Sequence, residues 1–337
     1  MMHLGRHFNL VNLLGAVTEN IEQSGLMIIV ELCEFGDIEI LLRNNRKYFI
    51  DQINHENDTI DATICAKDQG DQEGQRSSTE SLENDGYKTL TKPHPITTSD
   101  LLCWAFQVAR GMHYLISHNV LHRDLATRNI LLCANNVVKI CDFGLAKSLH
   151  NKPYYRKNGG ERVPYRWLAP ESLIDQKYSV HSDVWSFGIV LWELFSLGLM
   201  PYSKLDDPFN NLANFLQRGN RLSKPEYATQ SIYDIMMSCW NADPNARPLF
   251  DSLAMTFCDL MKPDDLEEFI DLNKSFMEKN AEKYKSEEND CLASVKLDEN
   301  PENDENTTQS CVVDVLSPEN PNGNAECVVE IPLKTIV

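Results

Sequence analysis

The stretch "VLHRDLATRNILL", residues 120–132, sets His122, Arg123, Asp124, Arg128 and Asn129 between two apolar runs. One carboxylate and one carboxamide lie five residues apart, each close behind an arginine. Thirteen residues after Asn129 a second carboxylate, Asp142, opens the tripeptide "DFG". A structural turn does not need this inventory. Phosphoryl transfer does, because it asks a protein for positioning and charge neutralisation more than for covalent chemistry. One carboxylate must accept a hydroxyl proton, and magnesium requires hard oxygen ligands. Asp124 fits the base, and Asn129 and Asp142 fit the metal ligands. His122 reads as a packed structural histidine, since an imidazole is not required for this chemistry.

The elements that must hold these residues follow from hydrophobic patterning. "NLVNLLGAVT" and "LMIIVELC" read as two strands separated by the polar turn "ENIEQSG". "GDIEILLRNNRKYF" has apolar positions at helical spacing after a Gly-Asp start. "TTSDLLCWAFQVARGMHYLISHN" reads as a long amphipathic helix, with Ser99 or Asp100 as the expected cap. "VVKICDFGLAKS" is a β-branched strand running into Asp142, and residues 178–261 are strongly helical. Helical character continues past Pro263 to about Tyr284.

Charge divides the chain further. The 337 residues carry a formal net charge of −19. Residues 262–337 hold 19 acidic and 7 basic side chains, and residues 51–95 hold 10 and 4, so the remainder is nearly neutral. Residues 51–95 are expected to be a disordered insert, and residues 262–337 a mostly disordered acidic tail. No basic face suited to nucleic acid is expected. The ten cysteines are scattered without a CxxC pair, which predicts reduced thiols of a cytosolic segment. The sequons at Asn57, Asn273 and Asn306 are then chance matches. Apolar runs fall well short of the ~20 residues a bilayer span needs, and no signal-peptide core is present.

The order H-R-D-L-x-x-x-N, D-F-G, A-P-E at 169–171 and "SDVWSFG" at 182–188 resembles the protein kinases, from residue 1 to about 261. The resemblance implies an α+β, protein-kinase-like fold with a mainly helical C-lobe and an incomplete small β N-lobe. By that alignment residues 1–34 are an N-lobe remnant, and 35–261 are the C-lobe interrupted by the insert. "HRDLATRN" and "VPYRWLAPES" resemble the tyrosine-specific branch, in which Arg128 orients an incoming phenol and Pro164 and Trp167 shape its platform. "HLGRHFNLVNLLGAVT", "LMIIVELCEFGDI", "LWELFSLGLMPY" and "RLSKPEYATQSIYDIMMSCW" are similar to the platelet-derived and vascular endothelial growth factor receptor group, invertebrate members above all.

That resemblance implies ATP and Mg²⁺ as cofactors. It places Val30 as the gatekeeper beside the adenine, Glu31 and Cys33 in the hinge, Asp37 near the ribose, Leu131 at the pocket floor and Cys141 before the metal-binding Asp142. Cys141 is open to two readings, a reactive thiol or a small buried hydrophobe. Tyr154 and Tyr155 lie in the activation segment, where phosphate on Tyr155 would pair with Arg123. His150 replaces a second tyrosine common there. Phe143 and Asp183 are expected as structural residues, Asp183 anchoring the loop at 122–124, and Glu171 with Arg247 as a buried ion pair. Implied partners are protein tyrosine substrates, phosphotyrosine-binding adaptors and a receptor homodimer, with the chain as the cytoplasmic portion of a single-pass plasma-membrane receptor. Tyr87 and Tyr284 are the docking candidates, whereas Tyr233 of "YDIM" reads as core.

No G-x-G-x-x-G followed by V-A-x-K occurs in these 337 residues. Those parts hold the α- and β-phosphates. The chain is therefore expected to be inactive alone, as a fragment of a receptor kinase. The alternative is a non-catalytic short form acting by interaction or competition.

Overall fold

The computed structural model describes residues 5–17, 27–61, 63–64, 95–143, 146–148, 155–156 and 164–295. Strands β1 (Leu13–Val17) and β2 (Met27–Val30) precede helix α1 (Ile38–Asn45). Strands β3 (Ile53–Asn54) and β4 (Thr59–Ile60), helix α2 (Thr98–Ser117), and strands β5 (Val120–Leu121), β6 (Ile130–Leu132), β7 (Val138–Ile140), β8 (Lys147–Ser148) and β9 (Tyr155–Arg156) follow. The rest is α3 (Pro170–Asp175), β10 (Lys177–Tyr178), α4 (Val180–Phe195), α5 (Pro208–Gln217), α6 (Gln230–Cys239), α7 (Phe250–Leu260) and α8 (Pro263–Val295). The strands pair antiparallel two by two: β1 with β2, β3 with β4, β5 with β8, β6 with β7 and β9 with β10. This is the small-sheet, mainly helical α+β architecture expected of a kinase fold. The chain divides into two compact units, Met1–Lys283 and Tyr284–Val337. Of the second, only the backbone of the last turns of α8 is described.

Helix α4 is the centre of the first unit. Its sequence is apolar nearly all round, and all fourteen residues from Ser182 to Phe195 are buried, as in an all-round apolar helix. Trp185, Phe187 and Trp240 are among the largest fully buried side chains. Gly188 makes this packing possible, because a Cβ there would stand 2.5 Å from the Trp240 Nε1. Helix α2 is the second buried element, contributing Leu101, Trp104, Phe106, Val108 and Met112 to the same core.

Three expectations are corrected. Helix α2 is capped by Thr97, not Ser99 or Asp100. The Thr97 hydroxyl accepts the Asp100 N–H at 3.2 Å, while the Asp100 carboxylate accepts the Thr97 N–H at 2.8 Å. This reciprocal box puts the cap three residues before the acid it uses.

Residues 51–61 are folded rather than part of a disordered insert. Gln52 is buried, its Oε1 accepting from the Ser99 N–H at 3.0 Å and hydroxyl at 2.7 Å. The β3–β4 hairpin then brings the Asp58 carboxylate to the first N–H of α6, at Gln230, 2.6 Å away. The polar composition of 51–61 serves caps rather than disorder. Residues 65–94, with Tyr87, lie outside the described residues.

Residues 263–276 are likewise folded rather than part of a disordered tail. Leu266, Phe269, Leu272 and Phe276 recur at helical spacing on α8 and pack on the core. The Phe269 ring stands edge-on to Phe8 and Phe106 at 5.5 and 5.1 Å, and Phe276 lies 5.4 Å from Phe8. The acidic average of the segment hides this stripe.

Candidate functional site: the carboxylates at the open end of the β6–β7 hairpin

The β6–β7 register pairs Ile130 with Ile140, Leu131 with Lys139 and Leu132 with Val138. One step further out, the Cys141 N–H donates to the Asn129 carbonyl at 2.9 Å. Asn129 and Asp142 therefore leave the same end of one hairpin, thirteen residues apart in sequence and neighbours in space. The Asn129 amide donates to the Asp124 carbonyl at 2.7 Å, which fixes the loop at 124–129 across that end. This bond uses the donor half of the amide and leaves its Oδ1 as a ligand atom. Asp142 is exposed and holds φ at +56°, a left-handed conformation uncommon for a non-glycine residue.

Burial pushes the Asp124 carboxyl above its ordinary value, against the opposing pull of Arg128 and Asn129. The Asp142 carboxylate adds a smaller push in the same direction. A carboxylate shifted this way is a stronger proton acceptor than a solvated one. The Arg128 guanidinium contacts the Asp124 carboxylate directly, and its Cζ lies 4.2 Å from the Trp167 ring centroid. Arg128 is thus already engaged with the carboxylate rather than extended alone toward solvent.

His122 is fully buried. Its Nε2 donates to the Cys141 carbonyl at 3.0 Å, so its Nδ1 is the acceptor for the Asp124 N–H at 3.3 Å. Burial lowers its pKa to about 4, which keeps the ring neutral. Phe143 packs beside it with ring centroids 5.6 Å apart. His122 therefore ties Asp124 to the strand carrying Asp142.

Asp183, from α4, grips this loop from below. Its two carboxylate oxygens accept the N–H groups of His122 at 2.9 Å and Arg123 at 3.0 Å. Burial raises its pKa to about 6 despite both bonds. The Glu193 carboxylate, ten residues along α4, accepts from the Thr127 hydroxyl at 2.8 Å, the Thr127 N–H at 3.2 Å and the Trp167 indole at 2.8 Å. Burial pushes Glu193 up to about 7. Sequence reasoning passed over Glu193; the available signal was a lone acid inside "LWELF". One helix thus supports both ends of the loop.

At the other edge of the cleft, Asp37 pairs backbone-to-backbone with Leu131, and its Oδ1 caps α1 by accepting the Ile40 N–H at 2.8 Å. Val30 ends β2 and is 41% exposed. The Glu31 carboxylate takes the Asn12 N–H and side-chain amide, both at 2.7 Å, and the Lys139 ammonium at 3.1 Å. Glu31 and the buried Lys139, a second residue missed in the sequence, therefore join the segment after β2 to β7. The Cys141 thiol feels Asp142, Cys33, Asp37 and Asp124 together, which places it among both halves of the cleft. Burial raises it to about 12, away from the range of a reactive thiolate.

The remaining expected residues lie around this centre. Arg247 donates to both oxygens of Glu171. Arg123 is buried with its Cζ 4.4 Å from the Tyr178 ring. The β9–β10 register sets the backbone of Tyr155 opposite Tyr178, and hence in the neighbourhood of Arg123. Tyr154 and His150 lie outside the described residues. Tyr233 is half-buried and its hydroxyl donates to the Leu222 carbonyl at 2.8 Å.

Among the described residues no group of three or more His, Cys, Asp and Glu could hold a metal ion. A cation here would draw one carboxylate and one amide from the protein and take its other oxygens from phosphate and water. That is the donor set magnesium favours. No described helix is long and apolar enough to cross a membrane.

Comparison with known proteins gives the family. Residues 1–257 match the family model described as protein tyrosine and serine/threonine kinase. The chain is 44% identical over 276 residues to vascular endothelial growth factor receptor 2 of Coturnix japonica, covering 75% of this chain and 20% of that protein. It is 42% identical over 278 residues to receptor 3 of Danio rerio, covering 80% and 20%. It is also 42% identical over 298 residues to receptor 1 of Homo sapiens, covering 81% and 22%. The chain spans about a fifth of the length of these curated relatives. With the family model matched from residue 1 to residue 257, this chain belongs to the protein tyrosine and serine/threonine kinase family.

Proposed function

We propose that the chain is the catalytic-loop half of a receptor-type protein tyrosine kinase, which transfers the γ-phosphate of ATP to tyrosine hydroxyls of proteins. The observation that carries this reading is the meeting of Asp124, Asn129 and Asp142 at one end of the β6–β7 hairpin. Kinases of this family use ATP with a divalent cation, and the hard oxygens of Asn129 and Asp142 suit Mg²⁺. Bound Mg²⁺ would neutralise charge developing on the phosphate oxygens.

The residues of the chain do the rest. Asp124 accepts the proton of the attacking phenol, and Arg128 holds the Asp124 carboxylate in place against Trp167. Asp183 and Glu193 keep the loop in register, and neutral His122 links Asp124 to the strand of Asp142. Val30, Glu31, Cys33, Asp37, Leu131 and Cys141 form the nucleotide side of the cleft. Phosphate on Tyr154 or Tyr155 orders the activation segment, with Arg123 as the partner of Tyr155. The whole protein is a plasma-membrane receptor that dimerises, uses this segment on its cytoplasmic side and recruits phosphotyrosine-binding adaptors.

The test joins an upstream kinase segment bearing a G-x-G-x-x-G loop and a V-A-x-K lysine to the N-terminus of this chain. Transfer from Mg-ATP to tyrosine peptides and not to matched serine peptides is expected. A folded chimera that phosphorylates serine, or neither peptide, contradicts the reading.

A further inference from the structure

Helix α8 reaches back to the segment before β1. The Phe269 and Phe276 rings both lie against Phe8, and the Arg6 guanidinium donates to the Asn280 carboxamide oxygen at 3.5 Å. The same Phe276 ring faces the Lys139 ammonium, its centroid 5.4 Å away, and the Phe8 ring faces that ammonium at 5.6 Å. Lys139 is buried on β7, and its Nζ donates to the Phe8 carbonyl at 2.8 Å and meets the Glu31 carboxylate at 3.1 Å. One ammonium thus joins α8, the segment before β1 and the residue that follows β2.

What Glu31 carries gives this junction its importance. All four residues of β2 are exposed, and the strand is fastened at its end. There the Glu31 N–H donates to the Asn12 carbonyl at 3.1 Å, while the Glu31 carboxylate takes the Asn12 N–H and side-chain amide. A buried ammonium needs its charge compensated on every side that water does not reach. A carboxylate, a carbonyl and two ring faces do this for Lys139. Without the Phe276 ring, water would enter beside Lys139, the local dielectric would rise, and the pull of Lys139 on Glu31 would weaken.

We propose that Phe276 is a positioning residue for the nucleotide side of the cleft: through Lys139 and Glu31, helix α8 sets how firmly the β1–β2 hairpin is held. Helix α8 starts at Pro263, beyond the residues 1–257 that match the kinase family model, so the clasp comes from the segment that follows the kinase body. That Glu31 stands on the nucleotide side rests on the kinase reading; the clasp itself does not.

Hydrogen exchange of the full chain, read without nucleotide, tests the clasp separately from that reading. Phe276→Leu keeps the apolar bulk and removes the ring face, whereas Phe276→Tyr keeps both. In Phe276→Leu, exchange of the amides at 27–31 should quicken by about 3–30-fold, the range expected of a partly desolvated cation–π contact. In Phe276→Tyr it should match the wild type. Leu216→Ala, at a buried position on α5, controls for lost stability alone and should not quicken 27–31 beyond the rest of the molecule. Urea melts verify that each variant folds. A second reading needs no variant: in the wild type at rising urea, the α8 amides around Phe276 and those at 27–31 should open together. Unchanged exchange at 27–31 in Phe276→Leu, an equal rise in Phe276→Tyr or Leu216→Ala, or opening of α8 with 27–31 still protected overturns the proposal.

Discussion

Arg247 meets Glu171 through both terminal guanidinium nitrogens, at 2.7 and 2.9 Å, across 76 residues of sequence. A third bond from Arg247 reaches the His181 carbonyl at 2.8 Å and a fourth the Asn241 carbonyl at 3.0 Å. The Arg247 side chain is wholly shielded from solvent, while that of Glu171 is 16% exposed. The pair fastens the start of α3 to the loop before α7. Removing one partner strands a charge, whereas removing both does not. Glu171→Gln is therefore expected to cost about 3–5 kcal/mol in urea unfolding. The double change Glu171→Gln with Arg247→Met should cost less than the sum of the two single changes. Additive costs would contradict the pairing argument.

Glu193 gives stability a distinctive pH dependence. Its folded pKa, about 7, stands above its ordinary value of 4.5. Between these values the folded chain holds a proton that the unfolded chain has released. The stabilisation is therefore complete below pH 4.5 and is lost as pH rises through about 7. The slope is up to about 1.4 kcal/mol per pH unit. Asp183, raised to about 6, acts in the same sense, whereas His7, lowered to about 3, and His122, lowered to about 4, act in the opposite sense. Denaturant curves of the wild type and Glu193→Gln at several pH values isolate the one group. The difference between the two proteins should change across pH 4.5–7, and parallel profiles would contradict the assignment.

Helix α8 belongs to the folded body at least as far as Phe276. Phe269→Ala should cost about 3–5 kcal/mol, the usual range for emptying a buried aromatic site. Ending the chain at Met261 should lower the urea midpoint, and ending it after Lys283 should leave the midpoint near that of the full chain. Equal stability of all three lengths would return the whole segment to a solvated tail.

The 337-residue chain by itself should transfer little or no phosphate to poly-Glu-Tyr. No Gly-rich loop and lysine of the G-x-G-x-x-G and V-A-x-K type stands in its sequence to hold the α- and β-phosphates. Turnover near ~1 s⁻¹, within the range of kinases, would overturn this expectation.

The sequence was most legible where chemistry and periodicity coincide. Asp124, Asn129 and Asp142 could be expected to meet because their types and order answer one reaction, and α4 could be read because an unbroken apolar run has nowhere to go but the core. Thr97 was missed because "TTSD" offers four capping residues in a row, and only the reciprocal bond with Asp100 selects one. The hairpin at 53–60 was hidden by composition: Asp58 reads as a loop acid until α6 supplies the N–H it caps. Glu193 and Lys139 lie within apolar runs, and their partners Thr127, Trp167 and Glu31 come from distant segments that no local pattern brings together.

The most direct measurement of the central claim is kcat for Asp124→Asn in a chimera that joins a segment with the Gly-rich loop and lysine to this chain. If Asp124 accepts the phenol proton beside a nucleotide held at Asn129 and Asp142, kcat should fall by about 10²–10⁴-fold while the KM for Mg-ATP stays unchanged. A kcat that survives the substitution within a factor of about two would contradict the claim, because the effect expected of a general base is far larger.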